Sequence, residues 1–124
     1  MRQINNSQNA FEVLKNNFNP LCEEFWLITL NAQLYTINTT LISRGTLNFC
    51  LVHPRDVFRC AVRDNAFSII VAHNHPSQLL KPSSQDIKLT KKLIKISNMI
   101  EIPIIDHLIF SKEFYFSFKE HGLL

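Results

Sequence analysis

The middle of the chain reads AFSIIVAHNHP over residues 66–76. The first seven letters form a largely apolar run of strand length, which predicts a buried β-strand. The strand delivers His73 at its C-terminal end, and Pro76 then directs the chain into a loop. Apolar residues at helical spacing predict an amphipathic helix over residues 83–100. A buried strand followed by a long helix is typical of an α/β domain.

The rest of the chain adds strands and helices without strict alternation. Strands are predicted over residues 25–30, 34–42, 103–110 and 114–118, with a short strand or extended segment over 46–51. Helices are predicted within residues 1–20 and from Pro54, whose missing N–H costs nothing in the first turn. This mixture predicts an α/β three-layer α-β-α sandwich with a mixed, curved sheet. Residues 1–20 are expected to be an N-terminal helical extension of a domain over residues 21–124.

Length and composition exclude several classes of protein. The 124 residues fit one domain, and 46% hydrophobic with 19% charged residues exclude a disordered chain. Three cysteines without a C-x-x-C spacing argue against a disulfide framework or a cysteine zinc site, and favour a reducing, cytoplasmic compartment. No apolar stretch approaches ~18 residues, so no membrane span is expected. The polar N-terminus lacks the apolar core of a secretory signal.

The formal charge of +3 is mild, and the basic residues do not form a block. Four lysines nevertheless cluster on the helix predicted over residues 83–100, namely Lys88, Lys91, Lys92 and Lys95. A solvated helix face is the favoured interpretation of this cluster, and contact with nucleic acid is the alternative. Exposed strand edges in a small sheet also allow a homodimer.

His73, His75 and Asp86 have the spacing of a metal site. Residues i and i+2 of an extended segment point to the same side, so both imidazoles can meet one ion. A loop followed by a helix start can bring the Asp86 carboxylate back over the strand end. Two imidazoles and one carboxylate suit Zn²⁺ and leave a fourth position open for water, as catalytic sites do.

Metal-assisted hydrolysis needs a base and a donor to the oxyanion as well. Glu23 or Glu24, at the start of the first predicted strand, can take the proton of the attacking water. Ser83, beside Asp86 at the helix N-terminus, can donate a hydrogen bond to the tetrahedral intermediate.

Each of these residues has a simpler interpretation. Ser83 and Asp86 fit a helix capping box. A His-x-His at a strand end is most often solvated, and Glu23 alone is an ordinary carboxylate at the edge of a strand. The conjunction of these residues at the junction of an apolar strand and a helix favours the metal site.

The spacing resembles the JAMM motif of JAB-domain metalloproteins. That motif reads His-x-His, seven residues, Ser, two residues, Asp, and here the seven residues are 76–82. Other stretches are similar to the bacterial RadC-like branch of that superfamily: SRGTL at 43–47, HPR at 53–55, AHNHPS at 72–77, the pair Asp106-His107, and Y-x-SF at 115–118. The resemblance covers about residues 21–124.

The resemblance implies a JAB (deubiquitinase-like) fold and a zinc ion held by His73, His75 and Asp86. It implies Ser83 as the residue that stabilises the intermediate and Glu23 as general base, with Glu24 as the alternative. The implied function is a zinc-dependent peptidase or isopeptidase that acts on a peptide or protein substrate. The alternatives are a DNA-repair-associated accessory domain that contacts nucleic acid or a DNA-processing partner, and a protein-interaction scaffold, against which the intact ligand set argues.

Two features depart from the branch. The branch reads His-Pro-Ser-Gly, whereas Gln78 follows Ser77 here, so a positive φ at this position would strain the loop. Longer members carry a helical N-terminal domain associated with DNA, and about 20 residues before Leu21 are too few for it.

His107 is expected either to support the metal ligands from behind or to form a structural pair with Asp106.

Overall fold

The computed structural model describes residues 1–45 and 51–124. The segment predicted over residues 46–51 therefore lies almost wholly outside the described residues. The described part contains α1 (Ser7–Leu14), β1 (Glu24–Leu30), β2 (Thr36–Arg44), α2 (Pro54–Arg63), β3 (Ser68–Asn74), α3 (Ser84–Met99), β4 (Ile104–Phe110) and β5 (Tyr115–Ser117).

The strands form one mixed sheet in the order β2-β1-β3-β4-β5. β1 is antiparallel to both β2 and β3, and β4 is antiparallel to β5. β3 and β4 are parallel, because α3 crosses over between them and returns the chain to the same end of the sheet. The mixed sheet that the sequence predicts is confirmed.

Helices cover both faces of the sheet. One face packs Ile28, Ile70 and Leu108 against Phe11 and Leu14 of α1. The opposite face carries alternate residues of the same strands, such as Leu27 and Val71, and packs them against α2 and α3. This arrangement confirms the three layers. No helix among the described residues is long and apolar enough to cross a membrane.

Three apolar residues lie at positions that an apolar pattern alone does not predict. Val62 is exposed on α2, and Ile100 is the C-cap of α3 and not a core position. Leu34, predicted to start a strand, instead has a φ of 67° in the turn before β2. On α3 the buried residues are Thr90, Leu93 and Ser97, so two small polar residues take core positions of that helix.

Candidate metal centre

Strand pairing brings Glu23 to the two histidines. Phe25 of β1 lies opposite His73 of β3, and continuing this antiparallel register places Glu23 opposite His75. Asn74 reinforces the arrangement, because its side chain accepts from the Glu24 amide at 2.9 Å and donates to the Cys22 carbonyl at 2.9 Å. The residue between the histidines therefore fixes the backbone on both sides of Glu23.

Four side chains converge at this end of the sheet. The Nε2 atoms of His73 and His75 lie 3.0 Å apart. The Asp86 carboxylate contacts both, with Oδ1 at 3.2 Å from His73 Nε2 and Oδ2 at 3.2 Å from His75 Nε2. Glu23 Oε1 lies 3.9 Å from His75 Nε2. The structure thus brings together the three predicted metal ligands and the predicted base.

The geometry and chemistry of these groups fit a small divalent cation. Around a four-coordinate ion with bonds of about 2.0–2.1 Å, neighbouring donor atoms lie about 3.3 Å apart, close to the separations seen here. His75 Nδ1 donates to the Leu79 carbonyl at 2.8 Å, so in the neutral ring Nε2 is unprotonated and faces the cluster. Ligand atoms of Glu23, His73 and His75 also lie within 4.8 Å of one another.

Burial and the hydrogen bonds among its members together set the electrostatics of the cluster. Burial alone would raise the pKa of Asp86, but hydrogen bonds from His73 and His75 outweigh it and hold that pKa well below its usual range. The hydrogen bond with Asp86 in turn raises the pKa of His75. Burial raises the pKa of Glu23, although the nearby imidazoles oppose the change. Asp86 is therefore the permanent anion of the cluster, and Glu23 is the more basic carboxylate.

Glu24 lies on the other face of β1 and does not reach the cluster. Its fully buried carboxylate accepts from Arg44 Nε at 2.7 Å and from Trp26 Nε1 at 3.1 Å. Successive residues of a strand point to opposite faces, so only one of the two glutamates can face the histidines, and it is Glu23. Arg44 is engaged by Glu24 as a structural partner.

Ser83 and Asp86 form the capping box that the sequence suggested as their simpler interpretation. Ser83 Oγ accepts from the Asp86 amide at 3.1 Å, and Asp86 Oδ2 accepts from the Ser83 amide at 2.8 Å. The two interpretations coexist, since Asp86 caps α3 and contacts both histidines. The Ser83 hydroxyl acts as an acceptor in the cap, which leaves its proton available for another acceptor.

Beneath the cluster lies a buried series of hydrogen-bonded side chains, which the sequence predicted only in part. His107 is fully buried, with Nε2 at 2.8 Å from His73 Nδ1 and Nδ1 at 2.6 Å from Thr90 Oγ1. Burial, followed by the charge of His73, lowers the pKa of His107 well below its usual value. Asp106 accepts from the His107 backbone amide and contacts no atom of its ring among the described hydrogen bonds. His107 therefore supports a predicted ligand from behind.

Thr90 is the site residue that the sequence analysis missed. It lies four residues after Asp86, a spacing that places both side chains on the same face of α3. A threonine at that spacing from a candidate ligand was the available signal.

The loop after His75 has the strain that the sequence suggested. Gln78 has a φ of 65°, in the region that favours glycine, and its amide donates to the His75 carbonyl at 2.8 Å. A groove of about 440 Å³ adjoins His75 and this loop. Leu21 and Phe114, both largely exposed, lie in its wall.

Comparison with known proteins gives a consistent family match. The RadC-like JAB domain matches residues 4–123. A UPF0758 protein of Chlorobium chlorochromatii is 44% identical over 102 residues, covering 82% of this chain and 46% of that protein. One from Protochlamydia amoebophila is 44% identical over 122 residues, covering 98% of this chain and 53% of that protein. One from Clostridioides difficile is 46% identical over 102 residues, covering 82% of this chain and 43% of that protein. The chain spans about half the length of these relatives.

Proposed function

Because the chain belongs to the RadC-like JAB-domain family, we propose that it is a zinc-dependent hydrolase of peptide or isopeptide bonds. The observation that carries this proposal is the convergence of two imidazoles and two carboxylates at the end of β3. His73, His75 and Asp86 hold the ion, and Glu23 and Ser83 act on the substrate. A hydrolase of this kind needs a metal, a base and an oxyanion donor, and the chain offers a candidate for each.

The ligand set suits zinc better than calcium or magnesium. Imidazole nitrogen is a preferred zinc ligand, whereas the other two ions favour sites built from oxygen. When bound, zinc polarises a carbonyl and lowers the pKa of a coordinated water to about 7. His73 and His75 provide Nε2 atoms to it, and Asp86 provides the anion.

Glu23 is the proposed general base. Its carboxylate lies 3.9 Å from His75 Nε2, beside the ligand atoms and close enough to hold a water between the base and the metal position. Its pKa is raised by burial, which makes the carboxylate a better proton acceptor near neutral pH. Glu23 takes the proton of the attacking water and returns it to the leaving nitrogen.

Ser83 is the proposed donor to the oxyanion. As the N-cap of α3 it is fixed by the bond to the Asp86 amide, and its hydroxyl proton is free to point toward the substrate. The N-terminus of α3 adds a partial positive charge at the same place. Both effects stabilise negative charge on the carbonyl oxygen more strongly in the transition state than in the substrate.

The groove beside His75 favours a polypeptide substrate. Its walls include exposed apolar side chains, Leu21 and Phe114, and it borders His75, one of the proposed ligands. An extended chain lying there would pass beside His75 while an apolar side chain covers Leu21 and Phe114.

The test uses peptide and isopeptide libraries with the zinc-loaded protein. Glu23→Gln should bind zinc as the wild type does but lose about 10²- to 10⁴-fold in kcat/KM, because the base is removed. Glu101→Gln, at an exposed position distant in sequence, is the matched control and should leave the rate unchanged. Equal rates for Glu23→Gln and the wild type would overturn the proposed role of Glu23. A zinc-loaded wild type that cleaves nothing in either library would overturn the proposed activity.

A second candidate, contact with nucleic acid, has one supporting observation. Lys88, Lys91, Lys92 and Lys95 are all exposed on α3. Phosphate contacts by such a face would make binding weaken steeply with salt. Binding of duplex DNA at low salt that is lost in Lys91→Glu with Lys92→Glu supports this function, and absence of binding in the wild type contradicts it.

A further inference from the structure

A chain of hydrogen bonds runs beneath the cluster from His73 through His107 to Thr90 and the backbone of α3. We propose that His107 and Thr90 are positioning residues that fix which nitrogen of His73 carries its proton, so that Nε2 is left bare for a metal ion. The inference rests on the metal site of the proposed function but not on the reaction. It assigns a role to a buried threonine and a buried histidine that are not among the proposed ligands.

Thr90 sets which atoms donate and which accept in this series of hydrogen bonds. Its Oγ1 lies 2.8 Å from the Asp86 carbonyl oxygen, which can only accept a hydrogen bond. Thr90 has one hydroxyl proton, and this bond uses it. Toward His107 Nδ1, at 2.6 Å, the hydroxyl oxygen can therefore only accept. His107 must carry a proton on Nδ1.

The tautomer of His107 in turn fixes the tautomer of His73. His107 is fully buried, and its ring stacks on Phe118 with centroids 4.4 Å apart. A charged ring without a carboxylate partner is costly in such surroundings, so the neutral form with a bare Nε2 is favoured. That Nε2 accepts from His73 Nδ1 at 2.8 Å. His73 thus holds its proton on Nδ1, and its Nε2 faces the cluster unprotonated.

The second histidine is fixed independently by the Leu79 carbonyl, to which His75 Nδ1 donates. When both rings are neutral, two bare nitrogens therefore face each other at 3.0 Å, with one Asp86 oxygen at 3.2 Å from each. All of these atoms are hydrogen-bond acceptors, and acceptors at this separation repel. A cation among them removes the repulsion, so the hydrogen bonds behind the ligands prepare the cluster for a metal.

The arrangement also links the helix that supplies the carboxylate ligand to the strand that supplies the histidine ligand. Thr90 and Asp86 belong to α3, whereas His73 and His107 lie on the neighbouring strands β3 and β4. The helix that supplies the carboxylate ligand thereby orients a histidine ligand from another element. A histidine ligand normally has such a partner on its other nitrogen, and losing it typically weakens metal affinity 10- to 100-fold.

The decisive experiment compares Thr90→Val with Thr90→Ser. Zinc affinity is measured by competition with a chromophoric chelator, and ¹H–¹⁵N correlation through two bonds reads the tautomers of His73 and His107 in the metal-free protein. Thr90→Val keeps the side-chain shape but removes the acceptor, so His107 should lose its Nδ1–H tautomer and zinc affinity should fall about 10-fold or more. Thr90→Ser keeps the hydroxyl and should stay near wild type. Unchanged affinity in Thr90→Val, or an Nε2–H tautomer of His107 in the wild type, would overturn the inference.

A second pair of variants separates the hydrogen bond from packing. His107→Gln keeps an oxygen able to accept from His73 Nδ1, and His107→Phe keeps an aromatic ring against Phe118 without that acceptor. The inference predicts weaker zinc binding in His107→Phe and substantial rescue in His107→Gln, with circular dichroism confirming that both are folded. Better binding by His107→Phe would contradict it. Tight zinc binding that depends on His107 and Thr90, without peptidase activity, would contradict the proposed reaction and leave this inference standing.

Discussion

Asp86 combines two roles that single-residue patterns present as alternatives. It closes the capping box of α3 with Ser83 and also contacts both histidines. The position explains how both are possible, because a side chain at the third helical position can reach back to the N-cap amide and outward to the strand end. Substitution can separate the two roles.

We expect Asp86→Asn to weaken zinc binding severely and also to lower the stability of the metal-free protein, because the carboxylate's hydrogen bonds with the two histidines are lost. The amide oxygen can still accept from the Ser83 backbone, but the anionic ligand is lost, so zinc affinity should fall by more than the roughly 100-fold upper range for a supporting residue. Ser83→Ala should lower the free energy of unfolding by about 1 kcal/mol through the lost cap and should leave zinc affinity little changed. Urea denaturation and chelator competition measure both. Equal effects of the two substitutions on zinc affinity would contradict this division.

The residues of the cluster were largely predictable from sequence because their geometry is local. His73 and His75 share a side of one extended segment, and Ser83 with Asp86 forms a cap within one helical turn. The choice of Glu23 over Glu24 depends on the register of β1 against β3, which no local sequence pattern gives. Thr90 and His107 required the packing of α3 on β4, so their connection became visible only in three dimensions.

At the scale of elements, the positions of strands and helices follow the predicted pattern, and the differences lie at their ends. Leu34 has positive φ in a turn although it is apolar, and Ile100 caps a helix that ends at Met99. Apolar character alone cannot distinguish a core position from the residue just beyond the end of an element, because tertiary packing decides which side chains are covered.

The loop between β3 and α3 contains a residue with a strained backbone. Gln78 has a φ of 65°, a conformation that costs an L-residue roughly 1–2 kcal/mol. Gln78→Gly removes that strain but adds entropy to the unfolded chain, so a net stabilisation of about 0.5–1 kcal/mol is expected. Thermal denaturation measures it, with Gln78→Ala as a control that should not stabilise. A less stable Gln78→Gly protein would show that the side chain itself holds the loop.

At the scale of the whole molecule, the N-terminal segment is tied to the sheet. The Ile4 amide donates to the Leu34 carbonyl at 2.8 Å, and Ser7 Oγ donates to Asp106 at 2.7 Å. α1 buries Phe11 and Leu14 against the face of the sheet opposite to α3. The division into an extension over residues 1–20 and a domain over 21–124 stays a prediction, as do the cytoplasmic location and the homodimer.

Phe11→Ala tests whether the N-terminal helix and the sheet unfold as one unit. Deleting this buried ring should cost about 3–5 kcal/mol and lower the single melting transition of the whole chain. Far-ultraviolet circular dichroism and tryptophan fluorescence, reporting on Trp26 of β1, should give the same midpoint. Unchanged fluorescence melting with an early loss of helical signal would mean that α1 is a separable extension.

If the cluster at the end of β3 is a metal site, the protein must bind zinc stoichiometrically, and its metal content measures this. Purified protein dialysed against buffered zinc should contain one zinc ion per chain by elemental analysis. His75→Ala, treated identically and shown to be folded, should contain essentially none. A wild-type protein without stoichiometric zinc, or a His75→Ala protein that retains it, would contradict the account.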